Sequence, residues 1–370
     1  MLGVIGIHVG SQYMMNPSAN VHLLALFEIV TRFAVPIFFF ISAFGLFYNL
    51  DINKNFDYID FMQRRFKTVL IPYLVWSAFY LIHDNFFYGV GLPDLFYLIK
   101  VLFFGLAKYQ LYFLVLLLWF YLLMPIWIDL VRIMTPFKLV VLLIFQVAFN
   151  HFSSFNMDFI MFIYNLPENS LLKWFLMYRL NYWILHYIFI FILGGYVAVH
   201  IKSFMTFMKQ NDISICMFFM ISLTALLTHY YLILYVQHLT PEAAVNTAHQ
   251  LSPAGIAYTI TASVFYFTIF TFNDFSNALK SVLSFFGKHS YFAYLFHPFI
   301  ISWLELLLQS SGRIMTASIA IIFYIAVVTL SIFAAVIFRT FGEVIPIINK
   351  LTIGVYAKNK KVGGLKKNEI

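Results

Sequence analysis

The chain has 370 residues, 62% of them hydrophobic and 10% charged, with 46 Phe, one Cys and a formal net charge of +8. Its mean hydropathy of +0.87 is too high for a water-soluble fold to hide, and the single Cys216 excludes a disulfide framework or a cysteine metal cluster. The basic excess looks like a nucleic-acid signal only until the charges are placed, because they fall in alternate loops, as in a membrane protein.

The apolar residues come in continuous runs, most of them about 20 long, which is the length of helix that crosses a hydrocarbon core. A membrane barrel would show alternating segments of about ten residues instead. In lipid the backbone must satisfy its own polar groups, so the fold class is an all-α polytopic membrane bundle of about ten transmembrane helices. In chain order the predicted helices cover 1–14, 26–50, 66–87, 111–128, 137–152, 182–201, 213–236, 252–272, 289–308 and 314–338. The first, about 21 Å long at 1.5 Å per residue, is shorter than the bilayer core. It reads as a tilted or thinned entry segment, or as part of a longer one. Met1 runs straight into apolar residues without a basic region, so no cleaved targeting peptide is expected.

Between the third and fourth helices, residues 92–108 read as a re-entrant or interfacial segment, and 150–181 as the longest external loop, part of a lid. Residues 1–340 form the membrane domain and 341–370 a basic cytoplasmic tail, amphipathic at first and disordered from 358 to 370. Assigned to alternate sides, 17 Lys and Arg residues fall on one face and five on the other, with Arg32 left inside a helix. The richer side is cytoplasmic by the positive-inside rule, which places both termini there.

Ionisable side chains within spans are costly and face the bundle interior, so each is a candidate site. Glu28 and Arg32 stand four apart on one helix face, either as a self-neutralising pair or with Glu28 fixing an Arg32 that orients an acyl or sugar oxygen. His8 lies in the first helix among Gly3, Gly6 and Gly10, which permit close helix approach for packing or for a ligand. His297 precedes Pro298, which frees a carbonyl from the helical ladder, and Glu305 stands two turns beyond. Arg65 and Lys67, at the cytoplasmic entry of the third helix, serve as a topology anchor or as a phosphate site. His186 and His229 read as structural. There is no Walker loop, dinucleotide glycine fingerprint or His-Glu-x-x-His helix, which excludes ATP-driven transport by this chain alone and zinc-protease chemistry.

Several segments, in this order, resemble the family-3 membrane acyltransferases, which include sugar O-acetylases and the intercellular-adhesin O-succinyltransferase type. The stretch Gly3–His8 matches the family's apolar run ending in histidine, and Phe39-Phe40-Ile41-Ser42-Ala43-Phe44 its pattern of two aromatics and then Ser-Gly-Phe. Arg65-Phe66-Lys67, Ile71-Pro72-Tyr73 and Trp76-Ser77 match the third helix; Tyr112-Phe113-Leu114, Tyr121 and Pro125 the fourth. Gly194-Gly195-Tyr196, Ser290-Tyr291, Tyr294-Leu295 and His297-Pro298 complete the set. Two departures stand out: the position of the arginine usually found some ten residues before the first-helix histidine would fall ahead of Met1, and Ala43 replaces a glycine.

The resemblance implies a membrane enzyme, an O-acyltransferase of the bacterial plasma membrane. It would carry an acetyl or succinyl group from cytoplasmic acyl-CoA to a hydroxyl of a cell-surface polysaccharide, teichoic-acid-like polymer or peptidoglycan sugar. It implies membrane lipid as surroundings, no nucleic acid and no metal. His8 would be general base or transient acyl carrier, Arg32, His297 or both would stabilise the oxyanion, and Glu28, Arg65 and Lys67 would bind substrate. The rival reading is a transporter or flippase for a glycan or lipid-linked precursor, although the paired halves with broken helices that transporters often show are not evident.

Overall fold

A computed structural model describes residues 1–356, so the basic run from 358 to 370 lies outside the described residues. The described residues are 80% helical, with no strand. Seven helices are long and apolar enough to span a membrane, and up to nine spans result if each of two sharply bent pairs counts as one. The ten predicted helices map onto these nine and α1 (Leu2–Met14), whose 13 residues stay below that length.

The second predicted helix is not continuous. A four-residue α2 (Val21–Leu24), capped by the Asn20 side chain, passes into a π-turn at Ala25–Ile29 and a 3-10 turn at Arg32–Ala34 before α3 (Pro36–Tyr48) begins. Pro36 supplies no N–H to the turn before it, and the Thr31 hydroxyl donates to the Phe27 carbonyl. π-turns of this kind collect at functional sites.

Next come α4 (Tyr58–Arg65), a π-turn over Phe66–Leu70 and α5 (Ile71–Tyr88), which together make a 31-residue span ending at Gly89 in the left-handed region. The 92–108 segment holds the short apolar helix α6 (Leu95–Phe104). The fourth predicted span is α7 (Tyr112–Leu122) and α8 (Met124–Arg132), bent by 65° where Pro125 interrupts the ladder.

After α9 (Pro136–Asn150), the loop expected as a lid is two short helices, α10 (Met157–Tyr164) and α11 (Leu171–Met177), held by buried cations. Lys173 Nζ donates to the carbonyls of Tyr164 and Leu166, each at 2.9 Å, and Arg179 Nε donates to the Ser153 carbonyl at 2.7 Å. His186, in this same region, bonds Asn150 Oδ1 at 2.8 Å.

The sixth predicted span is α12 (Ile188–Val199), followed after a 98° bend by α13 (Ile201–Gln210). Then follow α14 (Asp212–Tyr235), a short α15 (Pro241–Thr247), α16 (Pro253–Phe272), the 34-residue α17 (Asn277–Ser310) and α18 (Ala317–Val344). The amphipathic start of the expected tail is α19 (Pro346–Ile353), which docks back on α5, with Trp76 Nε1 donating to the Thr352 carbonyl at 2.9 Å.

The largest apolar core lies where α3 and α12 cross against α7. Gly194 lets the two backbones touch: a Cβ there would meet the Phe40 carbonyl. Phe120 stacks on Phe191 with centroids 4.1 Å apart, and Phe39 packs beside them at 5.3 Å from Phe120. This dry seam fixes the scaffold, and the irregular segment before α3 hangs from one end of it.

Candidate active site

The glycine face of α1 lies against the broken segment before α3. A Cβ at Gly3 would stand 2.8 Å from Ala34 Cβ, and one at Gly10 would stand 2.9 Å from Glu28 Cγ and Oε1. This close approach brings His8 and Ser11 of α1 beside Glu28 and Arg32. Glu28 is fully buried; its Oε2 accepts from Arg32 Nη2 at 2.7 Å and its Oε1 from the Ser11 hydroxyl at 2.8 Å. A buried charge needs such partners. The pair neutralises itself, as the four-residue spacing suggested, yet Arg32 Nε remains buried without a partner.

The other wall is the kink of α17. Pro298 has no N–H for the Tyr294 carbonyl one turn back, and the His297 ring takes that acceptor at 2.7 Å through Nδ1. A carbonyl only accepts, so Nδ1 carries the hydrogen and, in the neutral ring, Nε2 carries the lone pair. Nε2 is buried and finds no partner in the protein. The neighbouring Leu295 carbonyl accepts from the Tyr80 hydroxyl at 2.6 Å and from Gln110 Nε2 at 3.4 Å. Two side chains from other elements thereby secure the kink.

His8 and His297 meet face to face, with ring centroids 5.4 Å apart and planes inclined by 22°. The Tyr109 ring covers His8 from a third side at 4.2 Å. Next to them is a cavity of about 50 Å³ lined by His8, Arg32, Gln110, Tyr112, Gln250 and Tyr294 together with apolar side chains. That volume holds one or two water molecules. The Oε1 atoms of Gln110 and Gln250 have no protein partner. One cavity therefore gathers a histidine and an arginine beside several unsatisfied polar atoms, in a bundle that pairs most of its other polar groups.

His8, Glu28, Arg32 and His297, which the sequence singled out separately, come together here. Arg65 and Lys67 do not join them. Arg65 stacks over Phe61 and Tyr121 at 5.0 and 5.2 Å and does not line the cavity, and Lys67 is exposed. Tyr80, at the level of the His297 kink, follows Arg65 by 15 residues, about 22 Å along a helix. Between these levels, Ser42 Oγ lies 3.4 Å from the Tyr121 hydroxyl, and the Tyr291 hydroxyl, one turn before Tyr294, is buried without a partner.

Sequence reasoning missed Gln110, Gln250 and Tyr109, and it named Tyr112 only as part of a matched motif, without a role. Gln110 and Tyr109 belong to the segment before α7, and Gln250 to the turn before α16. The available signal was a Tyr-Gln and a His-Gln pair flanking apolar spans, where loop residues point inward. Among the described residues no three His, Cys, Asp or Glu side chains converge as a metal site requires.

A family model described as an acyltransferase domain, the family-3 type, matches residues 1–339. No curated protein and no solved structure gives a match. The family match covers all the elements that build the His8 cavity, and the chain belongs to the family-3 membrane acyltransferases.

Proposed function

We propose that this acyltransferase moves an acetyl or succinyl group from cytoplasmic acyl-CoA to a hydroxyl of an extracytoplasmic carbohydrate, in the bacterial plasma membrane with both termini cytoplasmic. The observation that carries the reading is the His8–His297 pair beside an arginine with a free N–H, at one small cavity inside an apolar bundle. Acyl transfer needs those parts: a base for the acceptor proton and a donor for the oxyanion.

In the proposed step His8, which lines the cavity, takes the acceptor proton as the acceptor oxygen attacks the thioester carbon. Arg32 Nε donates to the oxygen that becomes negative, while Glu28 holds the guanidinium in place through Nη2. The carbon–sulfur bond then breaks and the proton passes from His8 to the leaving thiolate. His297 was expected beside Arg32 as an oxyanion donor. With its Nδ1 hydrogen given to Tyr294, a neutral His297 has only a lone pair to offer, so its role is to accept a hydrogen from His8 or from a water between them.

Arg65 and Lys67 are proposed to bind phosphate groups of acyl-CoA at the cytoplasmic mouth, where guanidinium geometry suits phosphate. The distance of about 22 Å from that mouth to the histidines requires the thioester to arrive on a long flexible arm between Tyr121, Tyr291 and Tyr294.

The test is acyl analysis of surface polymer from cells carrying His8→Ala. Polymer exported normally but stripped of its esters supports the transferase. Polymer retained inside with unchanged acylation would establish a glycan transporter or flippase instead.

A further inference from the structure

A second, larger space lies behind one wall of the His8 cavity. It is a groove of about 560 Å³ between α1, α3 and α16, lined by Ile37, Ile41, Phe267 and Phe270 among others. Ile41 and Phe270 are 52% and 57% exposed on helices that span the bilayer, so the groove opens to hydrocarbon. Among the described residues, Phe38 is the one side chain that lines both the groove and the cavity.

The partition between the two spaces is thin. On α1, Gly3 lines the groove and Val4 the cavity; before α3, Ala34 lines the groove and Val35 the cavity. A Cβ at Gly3 would stand 2.8 Å from Ala34 Cβ, so there the partition is main chain and a methyl group, with nothing to swing aside. Phe38, in the first turn of α3, is the part made of a long side chain. Its ring stands 5.9 Å from Phe113, with which it shares the apolar side of the cavity. Phe113 is backed by Phe39 at 4.8 Å and by Tyr294 at 5.9 Å, whereas behind Phe38 is the groove.

The cavity is polar on one side, at His8, Arg32, Gln110 and Gln250, and apolar on the other, at Val35, Phe38 and Phe113. A thioester whose carbonyl oxygen is held by Arg32 turns its acyl chain toward the apolar side. A volume of about 50 Å³ takes a carbonyl and a methyl group, and further methylenes meet packed rings.

We infer that Phe38 sets the length of the acyl group. With its ring in place the site takes a two-carbon group; without it, a longer hydrocarbon chain passes into the groove, where burial of its methylenes is favourable. The inference rests on the acyl-transfer reading and leaves the step itself unchanged. The same carbon–sulfur bond breaks and the same ester bond forms, and Phe38 touches the part of the acyl group that does not react.

The test uses inside-out membrane vesicles, which carry the cell's own acceptor. They are supplied with radiolabelled acetyl-CoA or hexanoyl-CoA, and ester-bound label is counted per folded protein. Wild type is expected to favour acetyl-CoA by about 100-fold or more in kcat/KM, the scale on which apolar pockets discriminate chain length. Phe38→Ala is expected to cut that preference by about tenfold or more. Phe38→Leu, closer in volume, is expected to fall between and serves where the alanine variant folds poorly. Ile37→Ala, which alters the groove alone, is expected to keep the wild-type preference. Ile41→Trp added to Phe38→Ala refills the groove and is expected to restore it.

A wild type that uses both donors equally, or an unchanged preference in both Phe38 variants, would overturn the inference while acetyl label still supports the transferase. A preference that stays relaxed after Ile41→Trp is added would overturn the route through the groove. No label from acetyl-CoA in any of these proteins would remove the transferase reading, and the role of Phe38 falls with it.

Discussion

The crossing of α3 on α12 and the cleft beside His8 sit at neighbouring points of one bundle and are built by opposite means. At the crossing, Gly194 admits backbone contact and Phe39, Phe120 and Phe191 interlock with no polar atom to satisfy. At the cleft one helix gives way to a π-turn at Ala25–Ile29 and another loses one rung of its ladder at Pro298, and their freed backbone groups hold side chains in place. Arg32 Nε, His297 Nε2 and two glutamine oxygens are left unpaired. Packing supplies rigidity at the first place; at the second, unsatisfied polar atoms are tolerated because that rigid frame surrounds them, which is what a preorganised site requires.

The contrast predicts that substitutions at the cleft remove activity per folded molecule, whereas those at the crossing remove folded molecules. The largest effect is expected for His8→Ala: loss of a general base lowers acyl transfer about 10²- to 10⁴-fold, measured with labelled acyl-CoA in proteoliposomes, with the folded amount unchanged by size-exclusion profile. A loss below tenfold would move the base elsewhere.

Arg32→Gln is expected next. Removing an oxyanion donor costs about 10²-fold or more in kcat, and Glu28 loses its partner. The double variant Glu28→Gln/Arg32→Gln should therefore recover folded yield without recovering kcat, because the stranded buried carboxylate is removed. Recovery of kcat would show the pair to be structural only.

Gly194→Val tests the other side of the comparison. Overpacking typically costs about 1–3 kcal/mol, and here the clash is with backbone. Melting temperature and membrane yield should fall while turnover per folded molecule holds. The smallest effect is expected at Arg65→Ala: a severalfold higher KM for acyl-CoA, from one lost charge-assisted phosphate contact, with kcat and orientation retained. Loss or inversion of the protein would make Arg65 a topology anchor.

Much of the site could be named from sequence because its polar residues stand out in apolar runs. Glu28 and Arg32 declared themselves by spacing, and His297 by the proline after it. Their partners did not. Gln110 and Gln250 sit in turns, where glutamine is ordinary, and only the fold turns those positions inward. The interruption before α3 was also hidden, because 26–50 is apolar enough on average to read as one span and hydropathy does not register a π-turn. The two short helices within 150–181 were not legible either: they are held by Lys173 and Arg179, whose targets are backbone carbonyls that no pattern of side chains reveals.

Composition alone determined that the chain lives in lipid as helices, since continuous apolar runs and a self-bonded backbone leave no other arrangement. It also determined which polar groups would be expensive to bury. Tertiary structure decided which of these meet: the glycine face of α1 against the broken segment, and the α17 kink across from it, bring His8 within ring contact of His297, 289 positions away in the chain. That meeting depends on close packing between distant elements, and residue identities in a linear order carry no information on distance until the backbone has folded.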